Sequence, residues 1–238
     1  MSDRTRRSPR SPCRARVPIG RTLFTDRPSV NGIGGVLTLG RVRHTEPVTT
    51  RKEQAAQSRG RLVDVALRLF VDQGYDATPV SQVLDEADMA RGALYHHFPD
   101  GKKQLFVEVV DVVDHQLHQG FEKILHTVDS PIEQVSAGFG LLLRLAADHE
   151  FARIILIEAA AVMPGAWTDG SEFVLLRDTL RRAMEAGEIR PVPLDAATSA
   201  LYGAARRAAD FVARSPEPEH SASECHTVLQ ALLDGLRA

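Results

Sequence analysis

The chain of 238 residues carries 29 Lys and Arg against 31 Asp and Glu, is 43% hydrophobic and contains two cysteines. That length allows one large domain or two small ones with a sizeable core, and no apolar run approaches the roughly 18 residues that a membrane span needs. Cys13 and Cys225 stand far apart in unlike surroundings, which gives no disulfide framework and points to a reducing compartment, the cytoplasm.

The balanced total hides an asymmetry. Residues 1–50 carry ten basic against three acidic side chains, residues 51–110 eight against nine, and residues 111–238 eleven against nineteen. The first fifty residues are rich in Arg, Ser, Pro and Gly, lack Lys and sustain no period, so they read as a disordered basic tail. Such an arm would add sequence-independent attraction to phosphates, and its Arg- and Ser-rich start also resembles an organelle transit peptide. An alternative is that residues 1–47 are not native protein: VTTRKEQAAQSRGRLVDVALRLF, from Val48, resembles an ordinary N-terminus if Val48 is read from an alternative initiation codon.

From Lys52 onward apolar residues return at three- and four-residue spacing and no strand-like alternation is sustained, so an all-α architecture of about nine helices is predicted. The first helix runs to about Gln73, with Leu62, Val63, Ala66, Leu67, Leu69 and Phe70 on its apolar side and Gly74 as its stop. Thr78 is read as the cap of a short helix over 79–87 that has Pro79 at its first position. A turn at Asp88 and Met89 leads into a second short helix, about 90–97, which Pro99 and Gly101 close. A long helix over 102–127 can link two subdomains, and further helices follow near 131–147, 150–163, 171–187, 194–213 and 220–236.

Two short helices joined by a tight turn are the minimal device for placing a helix in the DNA major groove, although the same shape also serves as a plain packing unit. Here the residues add information. The pattern Phe70-x-x-x-Gly74-Tyr75-x-Ala77-Thr78, continued by Pro-Val-Ser-Gln-Val-Leu-Asp-Glu-Ala87 and then Arg91-Gly-Ala-Leu-Tyr-His-His-Phe98, strongly resembles the DNA-binding domain of the TetR family of regulators. The resemblance covers about residues 55–110, and its later Phe98-Pro-Asp-Gly-Lys-Lys stretch is similar to a subgroup with a Phe-Pro-x-Gly-Lys turn. It implies a helix-turn-helix DNA-binding domain at 51–110 and a helical effector-binding and dimerisation domain at 111–238.

Spacing places Val80, Val83, Leu84 and Ala87 on the inward face of the first short helix and Leu94 and Phe98 on that of the second. Arg91, Gly92, Ala93, Tyr95 and His96 then face outward. The resemblance implies phosphate contacts from Thr78, Tyr95 and Lys102 or Lys103, and base contacts from the 90–96 stretch, with Ser81, Gln82 and Ala90 completing the expected DNA-facing set. Phosphate contacts fix register and base contacts specify sequence, so Arg91 is the expected base reader. Two departures stand out: Asp88 replaces the usual turn glycine, and Ala90 replaces the usual Ser or Thr cap. The segment 51–110 is not basic overall, so a positive rim must come from Arg51, Lys52, Arg59, Arg61, Lys102 and Lys103 around Arg91.

In the second half, Phe139, Phe151, Ile155, Met163, Trp167 and Phe173 supply apolar and aromatic surface for a pocket, and Glu158, inside the apolar run IILIEAAAV, is the expected polar contact to a small-molecule effector. That an effector binds is implied by the resemblance. Helix 194–213 is rich in small residues, among them Ala197, Ala200, Ala204 and Ala208, and the last helix offers Val228, Leu229, Leu232, Leu233 and Leu236. The resemblance implies that these two helices and their copies form a homodimer, which would demand a palindromic double-stranded operator. Enzyme signatures are missing: there is no phosphate-binding glycine loop, no G-x-S-x-G elbow and no H-E-x-x-H. His115, His118 and Glu122 read as solvated rather than as metal ligands, Cys225 beside His226 as an inert packed thiol, and no cofactor is expected. The rival to a DNA-binding repressor is a helical adaptor that binds protein and uses the same turn only for packing.

Overall fold

The computed structural model describes residues 50–163 and 171–238. Among the described residues there are nine helices when contiguous helical pieces are counted as one, and no strand beyond a single bridge between Ile189 and Arg237. Residues 48–238 fall into one compact unit.

Helix α1, Arg51–Gln73, begins one residue earlier than periodicity suggests because Thr50 and Glu53 form a reciprocal cap. Glu53 N donates to Thr50 Oγ1 at 3.3 Å, and Thr50 N donates to Glu53 Oε2 at 2.8 Å, so two otherwise orphaned donors are satisfied. It ends at Gly74, whose φ of +87° suits a residue without a Cβ. Two short helices follow, α2 (Val80–Glu86) and α3 (Arg91–His97), and then α4 (Lys102–Thr127). At about 1.5 Å per residue the 26 residues of α4 extend roughly 39 Å. Its apolar residues pack on α1 near its start and on α5 (Pro131–Ala147) near its end, so a single rigid rod serves both halves.

The helix after α5 changes its winding. A short α6, His149–Phe151, continues into the π-helical segment π1, Ala152–Glu158, and returns to α-helix in α7, Ala159–Val162. Ile154, Ile155 and Leu156 of π1 are buried where α1, α4, α5 and the later helix Leu194–Ala213 converge. The remaining helices are α8 (Ser171–Glu185), α9 (Leu194–Ala213) and α10 (Pro218–Asp234), which pack with α5 as a bundle. The chain end is tied down: Arg190 N donates to the Leu236 carbonyl, and Arg237 pairs with Glu133 of α5 and Asp234 of α10.

The faces of α9 and α10 divide cleanly. Leu201, Ala205, Ala209 and Val212 of α9, and Leu229 and Leu233 of α10, are buried within the bundle. Phe211 at 54% exposure, Val228 at 60% and Leu232 at 49% point to solvent, a costly placement for large apolar groups unless something covers them.

Candidate nucleic-acid interface and effector cavity

The turn between α2 and α3 is built on one strained residue. Asp88 adopts φ +53°, which allows Met89 N to donate to the Leu84 carbonyl at 2.9 Å and fixes the angle between the helices. Val83 and Leu84 of α2 with Ala87 after it, and Leu94 of α3 with Phe98 after it, are buried in the core, as their spacing requires. The Arg59 guanidinium lies 5.0 Å from the centre of the Phe98 ring and pairs with Glu108 of α4, so α1, α3 and α4 are clasped together.

With those anchors inside, α3 presents Ala90, Arg91, Gly92, Tyr95 and His96 to solvent, and Tyr95 is 46% exposed. A Cβ added at Gly92 would meet nothing within 4 Å, so this side of the helix is open to a groove. Ala93 is half-buried beside them and Ser81 is exposed on α2. No side-chain hydrogen bond caps α3 at Ala90, which leaves its first amides for solvent or a phosphate.

Three expected contacts are placed differently. Thr78 is completely buried and its hydroxyl donates to the Gly74 carbonyl at 2.7 Å, so it neither caps α2 nor reaches a phosphate; Pro79 is the residue preceding that helix. Gln82 is held between neighbours, its Nε2 donating to Glu86 Oε1 and its Oε1 accepting from Gln73 Nε2. Lys102 folds back over Tyr75, with Nζ 4.2 Å from the ring centre, and this burial lowers its pKa, whereas Lys103 is exposed. The basic rim is also smaller than counted, because Arg59 is spent on Glu108 and Phe98. Arg61 of the expected rim borders the same hollow as Ala90 and Ala93, and Gln57 beside it is an additional candidate for the interface. Their one-turn spacing on the polar side of α1 was the available signal, yet only the fold shows that this side meets α3.

His97 lies behind the exposed face. Burial, then His96 and then Arg59, lower its pKa, so the neutral ring is favoured beside Phe98.

An apolar cavity of about 90 Å³ lies in the α4, α5, α8, α9 bundle, bordered by Leu117 and Phe121 of α4, Phe139 and Leu142 of α5, and Leu176 of α8. Its polar margin comes from Gln134, Glu172, Thr179, Tyr202 and Arg206. Of the expected effector contacts, Phe139 borders the cavity and Phe173 stacks edge-on against Tyr202 at 5.7 Å. Phe151 and Ile155 are core residues, Met163 packs at the end of α7, and none of the three borders the cavity. Trp167 lies outside the described residues. Glu158 is turned the other way: its Oε2 accepts from Tyr75 N at 3.1 Å and its Oε1 pairs with Arg153 Nη2 at 3.0 Å.

Among the described residues, Asp114, His118 and Glu172 bring one ligand atom each to within 4.8 Å of one another, a grouping that shares only His118 with the set read as solvated. His118 pairs with Asp114 at 3.1 Å, and His115 meets Gln119 instead. The Cys225 thiol is pushed up by burial and then by Glu224, away from its reactive thiolate. Among the described residues no helix is long and apolar enough to cross a membrane.

Comparison with known proteins places both halves. Residues 62–109 match the family model described as bacterial regulatory proteins, tetR family, and residues 132–236 match that of the tetracyclin repressor-like C-terminal domain. The chain is 35% identical over 80 residues to the HTH-type transcriptional regulator LmrA of Bacillus subtilis, covering 34% of this chain and 43% of that protein. It is 34% identical over 109 residues to the HTH-type transcriptional repressor KstR2 of Mycolicibacterium smegmatis, covering 45% and 52%. The chain thus spans about half the length of these relatives. A solved TetR-family transcriptional regulator from Pectobacterium atrosepticum superimposes with a TM-score of 0.68 at 27% identity, over 80% of this chain and 98% of that one. The ketosteroid transcriptional regulator KstR2 of Mycobacterium tuberculosis has the same fold, with a TM-score of 0.56 at 22% identity over 76% and 95%.

Proposed function

The chain belongs to the TetR family of transcriptional regulators, and from that premise we propose that it is a cytoplasmic DNA-binding repressor that grips a palindromic double-stranded operator as a homodimer and is released by a small apolar effector. It acts by binding, with no catalytic step of its own.

The observation that carries this reading is the exposed surface of α3, where Arg91, Tyr95 and His96 stand outward over the Leu94 and Phe98 anchors. Arg91 would read a base edge in the major groove, while Tyr95 and Lys103 would contact phosphates and set the register. Outward apolar groups on α9 and α10 support pairing of two copies through those helices. The apolar cavity supports an effector with an apolar body, and at about 90 Å³ it must expand to admit one larger than a few heavy atoms.

Selection of bound duplexes from random DNA tests the proposal. The wild-type protein should enrich an inverted repeat. The double variant Arg91→Ala with Tyr95→Phe should remain a folded dimer and lose that site, and unchanged affinity would refute the assignment of α3 as the reading helix.

A further inference from the structure

Glu158 is the only ionisable residue between Ile154 and Val162. Its side chain is 13% exposed, and a carboxylate so placed is unfavourable unless charge and hydrogen bonds compensate it. Both are present: the hydrogen bond comes from the DNA-binding half and the charge from π1 itself. Tyr75 N donates to one carboxylate oxygen across 83 positions of sequence, and Arg153, about one turn back in the same π-helical segment, pairs with the other. The pair sits directly on Gly74, where an added Cβ would lie 2.6 Å from Arg153 Nη2 and 2.9 Å from Glu158 Oε1.

The turn so gripped leads to the DNA-facing surface by two routes. The Gly74 carbonyl accepts the Thr78 hydroxyl just before α2 begins. The Tyr75 ring packs on Phe70 and Phe106, at 5.5 and 4.9 Å, and carries the Lys102 ammonium that opens α4 immediately after the recognition helix. Glu158 also lies close enough to Lys102 to favour its charge. The gripping residue closes the π-helical segment, and local π-windings are frequent where a helix serves function rather than packing alone.

We propose that Glu158, clamped by Arg153, is a positioning residue for DNA binding. It holds the Gly74–Tyr75 turn against π1 and thereby fixes how α2, α3 and the start of α4 are presented relative to the effector-binding half. The inference rests on the DNA-binding reading above. A symmetric operator requires two recognition helices at a set separation, so freeing this junction weakens specific binding by adding conformational freedom that must be lost on the site. Phosphate contacts of the freed protein are unchanged, so binding to random-sequence DNA is unchanged as well.

The test uses the full chain and the duplex selected by the wild-type protein. Removing both charges with Arg153→Leu and Glu158→Leu avoids stranding either one, and the conservative Glu158→Gln keeps an acceptor for Tyr75 N. The double variant should bind the selected site about tenfold more weakly while its affinity for random-sequence DNA stays within about twofold. Glu158→Gln should recover most of the loss. In the DNA-free protein, amide exchange at Tyr75 should accelerate in the double variant while that of the α5 and α10 core is retained. Unaltered Tyr75 exchange would overturn the tie itself, and wild-type affinity for the selected site would overturn the positioning role. If the wild-type protein selects no duplex, the DNA-binding reading fails and takes this role with it, whereas the Tyr75 exchange still reports on the tie.

Discussion

Thr78 and Gly74 are joined by a hydrogen bond of 2.7 Å from the Thr78 hydroxyl to the Gly74 carbonyl, at a position where Thr78 has no exposed surface. The bond closes the link between α1 and α2 from within, and it removes Thr78 from the set of side chains that DNA can touch. Replacing it by valine keeps the shape and deletes the donor. A buried carbonyl left without its partner costs about 1–3 kcal/mol, so Thr78→Val should lower the urea midpoint without changing the slope. The dependence of DNA affinity on salt should stay as in the wild type. Full stability together with a shallower salt dependence would mean that Thr78 is a phosphate contact after all.

His97 gives a pH signature. Its pKa is lowered by burial, His96 and Arg59, so between its folded value and the ordinary histidine value of about 6.5 the unfolded chain binds more protons than the folded one. Stability therefore rises with pH across that window, and the penalty is fully present once pH falls below the folded value. His97→Gln removes this contribution. Unfolding measured at about pH 7.5 and about pH 5.5 should show the variant losing less stability than the wild type on acidification. An equal loss in both proteins would leave His97 without a part in it.

The departures at the turn offer stabilising changes. Ala90 has the extended backbone of an N-cap but no side-chain oxygen, so Ala90→Ser should add about 1 kcal/mol. In a unit of this size that raises the melting temperature by about 2–4 °C. Asp88→Gly should add a smaller increment by relieving φ +53°. A melting temperature unchanged by Ala90→Ser would mean that the first amides of α3 are already satisfied in solution.

Two lysines adjoin the end of α3, and they should behave differently. Lys103 is exposed and Lys102 is held over Tyr75. Lys103→Gln should reduce the slope of log affinity against log salt by about one, and Lys102→Gln by clearly less. The reverse order would show that Lys102 leaves Tyr75 when DNA binds.

The outward side of α10 tests the dimer. Val228 and Leu232 are exposed one turn apart, while Leu229 and Leu233 are in the core. Val228→Glu with Leu232→Glu should therefore keep the helical fold, sediment as a monomer and lose affinity for the palindromic site. A double variant that still sediments as a dimer would exclude this face as the interface.

The helices were legible because an apolar stripe at 3.6-residue spacing is a local property: the bounds 102–127, 131–147 and 194–213 follow from periodicity and from the prolines and glycines between them. The anchors Leu94 and Phe98 were legible for the same reason. Several of the misplaced residues have partners on another helix. Gln82 looked free because Gln73 meets it only once α1 and α2 pack, and Arg59 looked like part of a basic rim because Glu108 lies 49 positions away. The π-winding of 152–158 lies inside the helix expected near 150–163, where no residue marks the change of winding.

By itself the sequence determined that the described residues from Lys52 onward are helical, that two short helices meet at Asp88, and that Arg91, Tyr95 and His96 face away from the Leu94 and Phe98 anchors. Those facts follow from spacing, turn residues and side-chain type within a few turns of chain. Only the tertiary structure decided where Glu158 and Thr78 point, because hydrogen bonding depends on which groups packing brings within about 3 Å. It withdrew Thr78 from the DNA surface and turned Glu158 from the effector cavity to the Tyr75 amide, at the joint between the two halves.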